Sequence, residues 1–255
     1  MIQHLLHACY YNVEQAKKTI DSLYTFKNTM PEFFQRWDVN GEEIQEIVRN
    51  VVMMAPLPKI DPDGNKIMVC KLSDSDPKKF NYPLCVRWLF MSCYNALWST
   101  GIHKGYVLIY DASGFSMSHL LRCQLNHVRN YISFGEKAAP MRVLKVVIIN
   151  TSPVVKKLMG LVRPFLNKEL LNLISFHTTP DSYFKDLPTE CIPEDYGGAA
   201  PSLSFLHDEY LKEMTSSREW FLEEEKIRSD ENKRASKSKG SSSSKSESFS
   251  SLEID

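Results

Sequence analysis

The sequence predicts an α/β protein with a mostly parallel sheet flanked by helices, and two observations lead to this fold class. Between residues 66 and 177, strand-like segments alternate with helix-like segments, a pattern typical of parallel strands joined by helical crossovers. The segments 105–111 and 143–150 are almost continuously apolar, with Lys145 the one charged residue before their polar ends at Asp111 and Asn150. Strands of this kind are expected to be covered on both faces.

The chain before the sheet is expected to form a small all-helical module. Leu5 and Cys9 suggest the last turns of a helix whose start is missing, so the module is expected to be truncated. Asn12 is placed to cap a second helix with apolar residues at helical spacing. A short helix is predicted over 41–51, and the prolines that begin at Pro56 mark a boundary.

The elements of the sheet region follow from hydrophobic period and from turn residues. Asp61 to Asn65 read as a turn before the first strand, and Ser116 or Ser118 is expected to cap the second helix. The predicted elements are a strand at 66–72, a helix at 83–98, a strand at 105–111, a helix at 118–135, a strand at 143–150, a long helix at 153–171 and a short strand at 172–177.

The end of the chain has a different composition. Apolar residues at helical spacing predict one helix, which ends in the charged residues 223–226. Ten of the sixteen residues from Ser236 to Ser251 are serine, and such a segment buries too little apolar surface to fold. The expected organisation is therefore a helical module at 1–50, a sheet domain at 51–200, a C-terminal helix at 201–228 and a disordered tail at 229–255.

Composition excludes several classes of protein. The chain has 31 basic and 31 acidic side chains, which argues against a strongly basic nucleic-acid binder. No apolar run approaches the ~20 residues needed to cross a bilayer. The six cysteines lack zinc-ligand spacing. We therefore expect a cytoplasmic protein, at most peripheral to a membrane, with no cofactor, no metal site and no nucleic-acid partner.

No motif in the sequence supports catalysis. Phosphate-binding glycine loops and zinc-protease motifs are absent. The stretch Gly114 to Ser118 has the position of a hydrolase nucleophile turn, but Ser118 stands where that turn requires glycine. Asp111 ends a central strand without a base beside it, and a structural hydrogen-bonding role is favoured. We expect a protein that is not an enzyme.

The segment 150–168 has two interpretations. Its apolar residues cover more than one face of a helix, and four basic residues stand among them. It is either a buried core helix with solvated basic side chains or a lid over an apolar cavity, with a basic rim that meets a membrane.

Several short motifs, in this order, resemble the CRAL-TRIO lipid-binding family, and in particular its alpha-tocopherol transfer protein and clavesin branch with the insect tocopherol-transfer-like proteins. Each motif alone is weak, but together they cover about residues 5–228. The matching segments are 8–24, 31–34, 110–115, 118–119, 139–142, 149–150, 163–166, 176–177, 187–188, 192–198 and 220–225.

The resemblance implies a CRAL-TRIO fold with a lipid cavity under a gate helix at 153–171. It also implies a soluble carrier that binds one hydrophobic ligand, such as a tocopherol-like isoprenoid, a retinoid or a phospholipid, and transfers it between membranes. The alternative is a lipid-sensing adaptor in membrane trafficking. The residues expected to line the pocket and gate are Phe115, Met117, Leu121, Ile149, Val155, Leu158, Val162, Phe165 and Leu166.

The resemblance also implies transient contact with endosomal or plasma membranes, through phosphoinositide head groups. Relatives commonly carry basic residues where this chain has Cys9, Leu171 and Leu173. Phosphoinositide binding is therefore either lost or moved to other basic side chains. The candidate positions for membrane binding are Lys18, Lys156, Lys157, Arg163 and Lys168.

Overall fold

A computed structural model describes residues 1–233 and confirms the α/β class. One sheet has its five strands in the order in which they occur along the chain. The first strand pairs antiparallel with the second, and the other pairs are parallel. The strands are β1 Val52–Pro56, β2 Lys66–Leu72, β3 Tyr106–Asp111, β4 Val143–Ile149 and β5 Ile174–Phe176.

Helices precede, connect and follow these strands. Asn12 accepts a hydrogen bond from the Gln15 N–H at 3.0 Å, which confirms the predicted cap. The helices are α1 Ile2–Ala8, α2 Val13–Thr29, α3 Pro31–Phe34, α4 Glu42–Asn50, α5 Tyr82–Thr100, α6 Met117–Arg122, α7 Leu125–Lys137, α8 Pro153–Val162, α9 Lys168–Leu173, α10 Asp181–Phe184, α11 Leu203–Ser216 and α12 Arg218–Lys226.

The N-terminal helices pack on the sheet region through α5. The Phe34 ring stacks on the Phe90 ring of α5 with centroids 5.2 Å apart, and Trp37 meets Tyr94 edge-on at 5.0 Å. All four side chains are buried. Aromatic pairs of this geometry add to the gain from burial alone. The helices before the sheet therefore share a hydrophobic core with it.

Three predicted helices are broken in the structure. The predicted helix 118–135 is two helices, because Cys123 is extended and no proline or glycine marks the break. The predicted helix 153–171 ends at Val162, since Pro164 lacks an N–H and its ring is incompatible with continued helix. The C-terminal helix divides at Ser217, whose hydroxyl bonds the Glu213 carbonyl one turn earlier.

Strand β1 is a further correction, because no strand is predicted from the sequence before residue 66 and Pro56 is expected to mark a boundary. Pro56 ends β1, which lies at the edge of the sheet, where a missing N–H is tolerated. At the other end, residues 229–233 are described and Glu231–Lys233 form a 3-10 turn. The rest of the predicted disordered tail lies outside the described residues. Among residues 1–233, no helix has the length and apolarity needed to span a membrane.

Candidate lipid-binding site

The two faces of the sheet differ in packing. Successive strand residues point to opposite faces, and in the observed register Val69, Ile109 and Val147 lie side by side. All three are 0% exposed. We call the surface that they share with Ile67, Val107, Asp111 and Ile149 the packed face.

The opposite surface is mostly apolar, and it is buried at Met68 and Leu108 but retains accessible surface at neighbouring positions. Cys70, Tyr110 and Ile148 are neighbours in the register, and each is half-buried. We call this surface, with Val146 and Ile174, the accessible face. A small void of about 10 Å³ lies between it and Leu89 of α5, which is room for about one water molecule.

The titratable groups at the accessible face lie in an enclosed environment. Burial raises the pKa of Tyr131 to about 12 and that of Cys85 to about 12. Burial also raises the pKa of Tyr110 and of Cys70. Side chains that retain accessible surface and yet are strongly desolvated face a confined space rather than bulk water. The accessible face therefore borders an internal, largely apolar space.

The segment Pro153 to Leu173, comprising α8, a 3-10 turn and α9, lies over this space, and we call it the lid. Helix α9 packs on β4 and β5, the 3-10 turn packs on α7, and α8 packs mainly on α6. Since α7 carries Tyr131, whose hydroxyl lies 2.8 Å from that of Tyr110, α7 is on the accessible side of the sheet. The lid therefore bridges from α6 and α7 to the far edge of the sheet.

Hydrogen bonds hold the lid just before its start and at the junction between its 3-10 turn and α9. Asn150 precedes it with a positive φ of 53° and donates to Asp111 Oδ1 at 2.8 Å. A left-handed conformation is unusual outside glycine, and asparagine tolerates it best. Asn167 caps α9 by accepting from the Leu170 N–H, and its own N–H donates to Glu136 of α7. Polar contacts therefore fix the lid at these two points.

A sharp turn after β3 fixes the residues beneath the start of the lid. Ser116 and His119 form a reciprocal capping box at the start of α6, which confirms the predicted role of Ser116. His119 is 0% exposed and its ring stacks on Phe115 with centroids 5.5 Å apart. This cap supports a half-buried Phe115 and, one residue beyond Ser116, a half-buried Met117.

Comparison with known proteins identifies the family. A family model described as the CRAL/TRIO domain matches residues 50–198. The chain belongs to the CRAL/TRIO family. This CRAL/TRIO chain is also similar in fold to the protein in the crystal structure of Sfh5, with a TM-score of 0.53 and 13% identity, covering 87% of this chain and 80% of that one. No curated protein matches with significance. CRAL/TRIO proteins are lipid-binding and lipid-transfer proteins rather than typical enzymes.

The structure places the predicted pocket residues of this CRAL/TRIO protein unequally. Leu158, Phe165 and Leu166 are half-buried and pack against the hydrophobic core from the lid, and Val155 and Val162 are buried there. Ile149 and Leu121 lie elsewhere. Ile149 is 0% exposed on the packed face, and Leu121 is 46% exposed on α6. The residues that occupy the accessible face next to Ile149 are Ile148 and Val146.

The basic residues of the lid are all exposed. Lys156, Lys157, Arg163 and Lys168 point to solvent, and within residues 1–233 none of them makes an ion pair. No acidic residue occurs between Pro153 and Lys168. Arg129 of α7 lies over the Phe165 ring at 5.0 Å, so a fifth cation joins this surface. Lys18 is exposed on α2, whose main neighbours are α1, α3 and α7 rather than the lid.

Sequence reasoning missed the polar groups of this CRAL/TRIO site. Tyr82, Tyr110 and Tyr131 come from α5, β3 and α7, and no motif joins them along the chain. In the sequence, Cys70 and Cys85 show only that they lack zinc-ligand spacing. The strand register of the folded protein shows which face of β3 carries Tyr110. The helices packed on that face then bring Tyr82 and Tyr131 to it.

Proposed function

We propose that this protein is a carrier that binds one hydrophobic ligand between the accessible face of the sheet and the lid, and transfers it between membranes. The observation that carries the proposal is the contrast between the two faces of one sheet. The packed face is closed at 0% exposure along Val69, Ile109 and Val147. On the accessible face, Met68 and Leu108 are buried, whereas Cys70, Tyr110 and Ile148 stay only half-buried.

The energetics favour a long apolar ligand. Each CH₂ group moved from water to an apolar site gains about 0.8 kcal/mol, so a chain of ten or more carbons supplies substantial affinity without covalent chemistry. The ligand-contacting residues proposed here combine the accessible face with the half-buried residues of the lid and the turn after β3. They are Phe115, Met117, Ile148, Leu158, Phe165 and Leu166.

Release requires the lid to move where water is absent. The exposed cations Lys156, Lys157, Arg163 and Lys168 would bring the lid to an anionic bilayer, each adding about 1 kcal/mol near such a surface. Phosphoinositides are anionic lipids that fit this surface, and we propose that head-group binding takes place there. Lys18 belongs to a different surface and is proposed only as a secondary contact.

Within the family, the motifs along the chain favour the alpha-tocopherol transfer protein and clavesin branch, and we propose a tocopherol-like isoprenoid or a retinoid as the ligand. Native mass spectrometry after exposure to a total lipid extract tests ligand binding directly. A single adduct of defined mass is the expected result. A folded sample without any adduct would overturn the carrier proposal.

Transfer is tested with a fluorescent lipid moving between donor and acceptor vesicles that contain anionic lipid. The variant Lys156→Glu/Lys157→Glu should transfer at least about tenfold more slowly while its ligand affinity is unchanged. The matched control is Lys59→Glu/Lys104→Glu, because both lysines are exposed at the opposite end of the parallel strands. Ligand binding without catalytic transfer by the wild-type protein would favour the alternative, a lipid-sensing adaptor.

A further inference from the structure

Three phenols converge at the space beneath the lid. The Tyr110 and Tyr131 hydroxyls lie 2.8 Å apart. Tyr82, at the start of α5, is half-buried. Burial raises the pKa of Tyr82, and the nearby Tyr131 raises it further. We call Tyr82, Tyr110 and Tyr131 the tyrosine cluster.

The tyrosine cluster has unused hydrogen-bonding capacity. A phenol offers one O–H donor and also accepts, and the Tyr110–Tyr131 hydrogen bond uses one donor of the two. The second donor of that pair is free, and the Tyr82 hydroxyl has no hydrogen-bond partner among residues 1–233. A donor left unmatched in an apolar enclosure costs free energy. The cluster is therefore suited to a ligand that brings an acceptor oxygen.

The surroundings of the cluster are uncharged. Four thiols lie near the cluster, and burial raises the pKa of each, so they are neutral: Cys70, Cys85, Cys93 and Cys123. Asp111 influences Cys70 but lies on the packed face, where it bonds Tyr196. Lys66 shares the accessible side of β2, four positions from Cys70 along the strand, and its nearby charged group is Glu213 of α11. Arg129 of α7 is exposed and lies over the Phe165 ring, and within residues 1–233 no cation acts on the three tyrosines of the cluster.

We propose that the ligand carries an uncharged hydroxyl or carbonyl group, that this group hydrogen-bonds the tyrosine cluster, and that lipids with an anionic head group are not held inside. The inference rests on the proposed carrier function and narrows its ligand to neutral lipids. Burying an ionised carboxylate or phosphate without a partner costs far more than burying a hydroxyl that is hydrogen-bonded. The basic lid and the uncharged interior thus act on different lipids, one at the membrane surface and one inside.

Three matched probes test this inference: pyrenyldecane, the corresponding pyrene-labelled decanol and the corresponding decanoate, each titrated at pH 7.5. The proteins are wild type, Tyr131→Phe, Tyr110→Phe/Tyr131→Phe and the control Tyr11→Phe, whose ring is 65% exposed. The measured quantity is the affinity for the alcohol divided by that for the alkane. This ratio cancels any general loss of affinity in a less stable variant.

In the double variant we expect the alcohol-to-alkane ratio to fall about tenfold, with a smaller fall in Tyr131→Phe and none in Tyr11→Phe. Decanoate should bind the wild type at least about tenfold more weakly than the alcohol. An unchanged ratio in the double variant, or decanoate binding as tightly as the alcohol, would overturn the inference and leave the carrier function standing. Failure of all three probes to bind the wild type would overturn both.

Discussion

The Tyr196 hydroxyl donates a hydrogen bond to Asp111 Oδ2 at 2.9 Å, joining the end of β3 to a loop 85 residues later in the chain. The other carboxylate oxygen accepts from the Ser113 N–H and from the Asn150 side chain. Asp111 therefore connects the turn that leads to Phe115, the residue that precedes the lid, and the C-terminal loop. This confirms a structural role for Asp111.

Removing the Tyr196 hydroxyl should destabilise the fold. Tyr196→Phe leaves one oxygen of a buried carboxylate without this donor, and we expect a loss of about 1–3 kcal/mol in the free energy of unfolding. Urea denaturation followed by circular dichroism measures it. Tyr11→Phe is the control and should be neutral. Equal midpoints for both variants would contradict the role given to Tyr196.

The stability conferred by Asp111 should depend on pH. Burial opposes ionisation of this carboxyl, but hydrogen bonds from Asn150, Ser113 and Tyr196 outweigh it, so its pKa lies below the ordinary value of 3.8. A carboxylate with a depressed folded-state pKa stabilises the fold above the unfolded-state value and loses that contribution as the pH falls through the folded-state pKa. The stability difference between wild type and Asp111→Asn should be constant above about pH 5 and shrink below about pH 4. A difference that does not vary with pH would exclude this linkage.

The same substitution at two adjacent residues of β4 should impair lipid binding on one face of the sheet and stability on the other. Ile148→Trp adds volume on the accessible face and should abolish binding of a pyrene-labelled lipid with little change in melting temperature. Val147→Trp adds similar bulk to the packed face, where Val147 is 0% exposed. This variant should lower the free energy of unfolding by about 1–3 kcal/mol. Thermal unfolding and lipid titration of both variants provide the measurement. The idea of an unfilled space fails if Ile148→Trp unfolds as readily as Val147→Trp.

The thiols at the accessible face should react slowly. With a pKa of about 12, only about one in ten thousand Cys85 side chains is a thiolate at pH 8. We expect alkylation of Cys85 by iodoacetamide to be about 100-fold slower in the folded protein than in urea. Mass spectrometry of the peptide containing Cys85 measures both rates. Similar rates would show that Cys85 is solvated in the folded protein.

A buried ion pair ties the N-terminal helices to α12. The Lys27 ammonium, 1% exposed, lies 2.8 Å from Glu224 Oε1 and also donates to the Glu224 carbonyl. Glu224→Ala should cost about 3 kcal/mol or more, because it leaves a buried cation without its carboxylate. Lys27→Met should cost less, since it removes the charge that needs the partner. Chemical denaturation of both variants measures the two losses in the free energy of unfolding. A larger loss in Lys27→Met than in Glu224→Ala would contradict this account.

The central strands and the helix caps were predictable because their signals are local. Largely apolar runs mark β3 and β4, and Asn12 and Ser116 are capping residue types at the predicted positions. The breaks at Cys123 and Ser217 were not predictable in the same way, because neither residue type forces a helix to end. The edge strand β1 was missed because its apolar run contains Pro56, which was interpreted as a boundary rather than as the end of an edge strand.

The sequence by itself determined that β3 and β4 lie inside the sheet, since strands apolar on both sides are stable only between two covering layers. The family motifs along the chain also sufficed to indicate a lipid-binding fold. Only the tertiary structure decided which face of the sheet is filled. Ile148 and Ile149 are the same residue type and adjacent in sequence. Ile148 borders the space beneath the lid, whereas Ile149 is buried against the opposite layer. That difference arises from strand register and from the distant segments that cover each face, which no local pattern encodes.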